Sequence, residues 1–199
     1  MSSKEDSGKK ILITGGVRSG KSSFAEKLAA ESGKKIVYLA TARVEDAEMR
    51  ERVSRHQKRR GPEVITFEEP MEPHLVLEKK GASDRLILLD CITLLVSNRF
   101  LADIEEHGAT WDGEDIYAEE ELLENAASRT LDYIRRFAGV AASSPLDLIM
   151  VTNEVGMGVV PDYPVGRVFR DLSGRANQVL AATADQVWMV VCGIPQRLK

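Results

Sequence analysis

The chain has little of what builds special-purpose scaffolds: two cysteines, three histidines, two tryptophans and 6% aromatic residues among 199. Cys91 and Cys192 each lie in or beside an apolar run and lack metal-ligand spacing. That excludes a disulfide framework and a zinc site, and both thiols are expected to be buried and reduced in a cytoplasmic protein. No wholly apolar run is long enough to cross a bilayer, and the opening MSSKEDSGKK is polar where a signal peptide needs an apolar centre. A strong charge of one sign is also missing. The formal net charge of -4 argues against a general nucleic-acid binder, leaving the basic cluster RHQKRRG, Arg55 to Gly61, in need of a local explanation. Internal repeats, low-complexity blocks and domain-separating linkers are absent. What remains is 43% hydrophobic and 29% charged, the composition of one ordinary globular domain. Residues 1–9 are expected to form a frayed or disordered extension and residues 10–199 a single domain.

Short apolar runs alternate with amphipathic stretches, the pattern of a mostly parallel sheet flanked by helices. The candidate strands are KILIT, KIVYLAT, EVITFE, RLILLD, LDLIMVT and QVWMVV. KSSFAEKLAAESG reads as a helix ending at Gly33. From Glu114 to Ala142, Ile116, Leu123, Ala127, Leu131, Ile134 and Ala138 recur at helical spacing as a core stripe. DIEEHGATWDGED and NEVGMGVVPDYPVG are the long loop candidates, and long loops often carry function.

Between the first strand and the first helix stands GGVRSGKS, which is Gly15, Gly16, Val17, Arg18, Ser19, Gly20, Lys21 and Ser22. It fits G-x-x-x-x-G-K-[ST] in the strand–loop–helix context that turns a glycine loop into a phosphate cradle. Glycines let backbone amides turn inward, the helix N-terminus adds positive potential, Lys21 reaches β and γ phosphates, and Ser22 offers a hydroxyl to Mg²⁺. Asp90 ends LILLD, either as a metal-associated carboxylate or as the cap of the next helix. A guanine-reading N-K-x-D is absent, which weakens a switch-GTPase reading. In EDAEMRERVSRHQKRRG, Met49, Val53, His56 and Arg60 share one helical face. His56 is then a structural histidine or a nucleophile beside a triphosphate.

Taken together, ILITGGVRSGKSSFAE, YLATA, EMRERVSRHQKRRGPEVITFEEP, LLDCITLLVSN, VTNEVGMGVVP and FRDLSGRANQVLAATADQVWMVVCGIP resemble the bifunctional adenosylcobinamide kinase / adenosylcobinamide-phosphate guanylyltransferase family of cobalamin biosynthesis, from about Lys10 to about Pro195. The resemblance implies a RecA-like P-loop fold and two reactions. A nucleoside triphosphate (ATP or GTP) phosphorylates the aminopropanol hydroxyl of adenosylcobinamide. GTP then gives GMP to that phosphate through a GMP-histidine, releasing pyrophosphate. The family's guanylylated histidine falls on His56, and its nucleotide contacts fall on Gly15 through Ser22, on Ala40, Thr41 and Ala42, on Arg59, Arg60, Gly61 and Pro62, and on Glu68, with Glu69 as the other glutamate of FEEP. Cationic neighbours favour the neutral imidazole a nucleophile needs. Asp90 stands where some members have Glu. The resemblance further implies Mg²⁺ held at Ser22 and Asp90, a corrinoid substrate, no nucleic-acid partner, and a homo-oligomer, a trimer by family habit. A P-loop kinase without guanylyl transfer and a non-catalytic nucleotide-binding subunit are the alternatives.

Overall fold

The computed structural model describes residues 7–43, 64–78, 84–112 and 115–199. Seven strands form one sheet: β1 (Lys10–Gly15), β2 (Lys35–Ala40), β3 (Ile65–Glu68), β4 (Arg85–Asp90), β7 (Asp147–Val151), β8 (Gln186–Val191) and β9 (Ile194–Arg197). Their spatial order is β3-β2-β4-β7-β1-β8-β9, and every pairing is parallel except β8 with β9. One strand, β7, separates the glycine-loop strand β1 from the Asp90 strand β4.

The apolar runs make this sheet because both of its faces are covered. Alternate residues point to opposite sides. Leu12, Ile87 and Leu89 therefore join one core with α3 (Ile92–Glu106), α4 (Glu120–Ser143), α5 (Pro164–Thr183) and Leu77 of the short α2 (His74–Glu78). Ile11, Ile13, Leu86 and Leu88 join the other, under α1 (Lys21–Glu31), where Phe24 meets Trp188 edge-on at 5.3 Å. Each fully buried aliphatic side chain contributes about 1.5–3 kcal/mol.

Three expectations are corrected. The long helix starts at Glu120, not Glu114: Asp115–Tyr117 (β6) pairs antiparallel with Thr110–Asp112 (β5), so Ile116 is a strand residue. That hairpin and the end of α3 also occupy most of the stretch read as an acidic loop. Cys91 is buried, but Cys192 is exposed. With Gly193 it makes the two-residue turn between β8 and β9, and its φ of 52° beside 79° at Gly193 matches the twist a tight hairpin needs. Ile194 to Arg197, not expected as a strand, is the return arm of that hairpin.

Among the described residues, no helix is long and apolar enough to cross a membrane.

Candidate nucleotide site

In parallel register Glu68 pairs with Ala40, Ala40 with Asp90, and Asp90 with Val151, while Thr152 N–H donates to the Ile13 carbonyl (2.9 Å). Residues scattered between positions 15 and 154 therefore form one row along the carboxyl edge of the sheet. This is the edge at which open α/β sheets bind ligands.

The glycine loop closes that row, following β1 between β7 and β8. A Cβ at Gly15 would lie 2.5 Å from the Val190 carbonyl oxygen and 2.7 Å from Ser19 Oγ, so only glycine fits. Gly20 has φ 98°, and it is followed directly by α1. The first intrahelical bond runs from Phe24 N–H to the Gly20 carbonyl (3.0 Å), so the amides of Lys21 and Ser22 point out of the helix end. No side chain caps α1, and no acidic residue occupies its first turn, leaving the positive end of its dipole uncompensated. The β8–β9 turn braces the loop from behind, Gly193 N–H donating to the Ser19 carbonyl at 2.8 Å. Lys21 Nζ donates to the Gly16 carbonyl (3.0 Å). Burial lowers the Lys21 pKa; Cys91 and Asp90 oppose that. Burial pushes the Cys91 thiol up to about 12, so it is uncharged near neutrality and Asp90 is the effective counter-charge.

Asp90 does not cap α3. The residue at that cap position is Cys91, with no side-chain cap bond, and Asp90 Oδ2 accepts a hydrogen bond from Tyr38 Oη at 3.0 Å. Thr41, fully buried, ties β2 to β4: its hydroxyl donates to the Cys91 carbonyl (2.6 Å) and accepts from Cys91 N–H (2.9 Å). The carbonyl of Thr41 accepts from Asn98 Nδ2 (2.8 Å). Of the two FEEP glutamates, Glu69 is occupied, its Oε1 accepting the N–H groups of Met71 and Glu72. Glu68 ends β3 exposed. His56, Arg59, Arg60, Gly61 and Pro62 lie outside the described residues.

The loop NEVGMG, expected at this sheet edge, completes the row together with Thr14 and Asn177, to which no role had been given. Thr14 Oγ1 donates to Glu154 Oε1 (2.6 Å), and Glu154 N–H donates to the Gly15 carbonyl (3.2 Å). Asn177, in the middle of α5, donates from Nδ2 to the Asn153 carbonyl (3.0 Å) and to Glu154 Oε1 (3.3 Å). The sequence signals were the glycines of NEVGMG after a strand at this edge and the part both NEVGMG and GRANQ play in the family resemblance. Nothing in their spacing says that they touch.

No group of three or more His, Cys, Asp or Glu that could hold a metal occurs among the described residues. A hard cation at Ser22 and Asp90 would therefore complete its oxygen shell with phosphate and water, as Mg²⁺ does.

A profile of the family described as cobinamide kinase / cobinamide phosphate guanyltransferase matches residues 11–198. The chain is 40% identical over 190 residues to the bifunctional adenosylcobalamin biosynthesis protein CobU of Salmonella typhimurium, covering 95% of this chain and 99% of that one. It is 36% identical over 191 residues to the CobU of Escherichia coli (95% and 99% covered), and 37% identical over 188 residues to the CobP of Pseudomonas aeruginosa (94% and 96%). A solved RadB recombinase is similar at 18% identity and a TM-score of 0.41, over 90% of this chain and 73% of that one.

Proposed function

We propose, from the premise that this chain belongs to the cobinamide kinase / cobinamide phosphate guanyltransferase family, that a single nucleotide site built on Lys21 serves both of the family's reactions. The protein is a bifunctional enzyme of cobalamin biosynthesis. It phosphorylates adenosylcobinamide with a nucleoside triphosphate, then joins GMP from GTP to the new phosphate, giving adenosylcobinamide-GDP and pyrophosphate. The observation that carries the single site is the row itself: one glycine loop, one Lys21 and one strand-end Asp90 one strand away.

In this reading the inward amides from Gly15 to Ser22 and the uncapped end of α1 hold the triphosphate. Lys21 turns from the Gly16 carbonyl to the phosphates. Ser19 Oγ, buried and without a hydrogen-bond partner among the described residues, is a donor suited to a phosphate oxygen. Ser22 and Asp90 would hold Mg²⁺, which when bound would supply positive charge against the transferred phosphoryl group. Ala40, Thr41, Ala42 and Glu68 sit along the same edge toward the nucleoside, with Thr41 holding the edge in shape because its hydroxyl, N–H and carbonyl are all engaged within the protein. Arg59, Arg60, Gly61 and Pro62 belong to the guanylyl half. There His56 Nε2 or Nδ1 attacks the α-phosphorus, the α–β bridging bond breaks to release pyrophosphate, and the phosphoramidate is then taken by the corrinoid phosphate. Met157, Val159, Val160 and Tyr163, all exposed on the loop after β7, offer the apolar side of the corrinoid site. Residues 10–199 act as one catalytic domain, assembled as a homo-oligomer, a trimer by family habit, in the cytoplasm.

The test is incubation with α-labelled GTP and Mg²⁺, followed by detection of an acid-labile, base-stable label on protein. His56→Ala should abolish the adduct and guanylyl transfer while phosphorylation of adenosylcobinamide persists. His74 and His107 are controls. Nδ1 of His74 lies 3.1 Å from Tyr133 Oη, and Nδ1 of His107 lies 2.7 Å from the Asp103 carbonyl, so each ring is engaged structurally. An adduct surviving in the His56 variant overturns the nucleophile, and a wild-type protein without adduct leaves the kinase alone.

A further inference from the structure

NEVGMG and GRANQ meet in a hydrogen-bond network whose protons can be assigned. Thr152 Oγ1 donates to Asn177 Oδ1 (2.7 Å), so its own lone pair is what faces Thr93 Oγ1 at 3.2 Å, and Thr93 donates there. Thr93 Oγ1 in turn accepts from Asn153 N–H (2.8 Å) and Asn153 Nδ2 (3.1 Å). Asn177 is left with its amide hydrogens, which go to the Asn153 carbonyl and to Glu154 Oε1. Every hydroxyl and amide direction is thereby fixed. Glu154 Oε1 ends the chain, accepting from both Asn177 and Thr14.

The consequence is an asymmetric carboxylate. Oε1 is saturated by two donors, whereas Oε2 accepts no hydrogen bond among the described residues, and the side chain is half-buried. Glu154 follows β7, the strand between the glycine loop and Asp90, and its own N–H is bonded to the Gly15 carbonyl. A carboxylate oxygen without a hydrogen bond to any described residue thus belongs to the residue that follows the strand between the phosphate cradle and the strand-end aspartate, at the root of the exposed apolar loop.

We propose that Glu154 is the general base of the kinase step, with Thr14 and Asn177 as positioning residues. This rests on the reading of the row as the kinase site. Glu154 Oε2 takes the proton of the acceptor hydroxyl as that oxygen bonds to the γ-phosphorus. The bond from the γ-phosphorus to its bridging oxygen breaks, and the electron pair leaves on the nucleoside diphosphate. The proton then passes to solvent, so a phosphate ester, a diphosphate and one proton leave the cycle. Guanylylation of a neutral histidine has no hydroxyl to deprotonate and does not need this group.

The test is Glu154→Gln in the full-length protein, which keeps an Oε1 acceptor for Thr14 and Asn177 and removes only the basic oxygen. The expected result is a fall in kinase kcat of about 10²–10⁴-fold, with KM for the nucleotide unchanged and the GMP adduct still formed from labelled GTP. Thr14→Val, which keeps the carboxylate and loosens one anchor, should lower kinase kcat by about tenfold, the small end of misplacement effects. Undiminished kinase kcat in Glu154→Gln overturns the base. So does parallel loss of kinase and adduct, which would make Glu154 a brace of the glycine loop. If Glu154→Gln does not fold, Thr14→Val decides alone: kinase and adduct falling together overturns the proposal. A wild-type protein that forms no adenosylcobinamide phosphate removes the underlying reading, and the proposal with it.

Discussion

Two carboxylates flank the same strand and are treated in opposite ways. Asp147 opens β7 at the amino edge of the sheet, and both of its oxygens are spent: Oδ1 accepts from Lys9 N–H at 2.8 Å, and Oδ2 lies 2.8 Å from Lys34 Nζ. Glu154, just past the other end, has one oxygen anchored and one without a hydrogen bond among the described residues. The cations show the same split. Lys10, buried at the amino edge, gives its ammonium to the carbonyls of Gly8 (2.6 Å), Ser144 (2.8 Å) and Leu146 (2.8 Å), while Lys21 at the carboxyl edge has a single carbonyl contact among the described residues. Charges at the amino edge are consumed in closing the fold. Those at the carboxyl edge keep unspent valence, and that is where chemistry has room.

The largest test of this contrast is Lys21→Ala. It should lower both activities by about 10³-fold or more, since one cation stabilises phosphate charge in both reactions. Its melting temperature should stay close to wild type, because among the described residues the bond to Gly16 is the one its ammonium makes. Measured by separate kinase and guanylyl assays beside thermal unfolding, guanylyl transfer at the wild-type rate would reveal a second nucleotide site.

Lys10→Met is the mirror image and should come next in size. It strands three carbonyls, two of them in buried hydrogen bonds, so a loss of about 2–4 kcal/mol of stability is expected. Denaturant unfolding reads it. The kcat of the remaining folded protein should not move, and a catalytic defect at constant stability would break the comparison.

The strands and the glycine loop were legible in the sequence for a physical reason. Runs buried on both faces, such as LILLD and LDLIMV, leave no polar alternation, and Gly15 and Gly20 occupy backbone positions that side chains cannot. What was not legible depended on register. Asn177 reaches Glu154 across 23 positions because α5 packs against the turn that follows β7, and Tyr38 meets Asp90 across 52 because β2 and β4 are neighbours. Asp90 was read correctly as a strand end, but its partner could not be named. Ile116 kept helical phase with Leu123, yet hairpin pairing claimed it. Cys192 looked buried beside QVWMVV, and only the turn geometry places it outside.

Thr41→Val sharpens the contrast from within the carboxyl edge. The family resemblance puts Thr41 among nucleotide contacts, but its hydroxyl bonds Cys91 in both directions. The variant should therefore behave like an amino-edge change, costing about 2 kcal/mol by leaving the Cys91 N–H and carbonyl underserved. Nucleotide KM should hardly change. A KM rising tenfold with stability intact would return the hydroxyl to the ligand.

The smallest effect belongs to Asp147→Asn, and it carries a pH signature. Burial raises the Asp147 pKa, but the Lys34 hydrogen bond and the Lys9 N–H outweigh that, and the net shift is downward. An aspartate whose folded pKa is depressed contributes stability that is fully present above its unfolded pKa of about 3.9 and is lost as pH falls through the folded value. Wild type should therefore lose stability as pH falls below about 4 more steeply than the variant does. At pH 7 the variant should be weaker by about 1 kcal/mol, since the pair is partly exposed and screened while the Lys9 N–H can still find the amide oxygen. Urea midpoints from pH 7 down to pH 3 measure both. The two proteins should converge at the acid end, and a constant gap across the range would mean that Asp147 acts by shape rather than by charge.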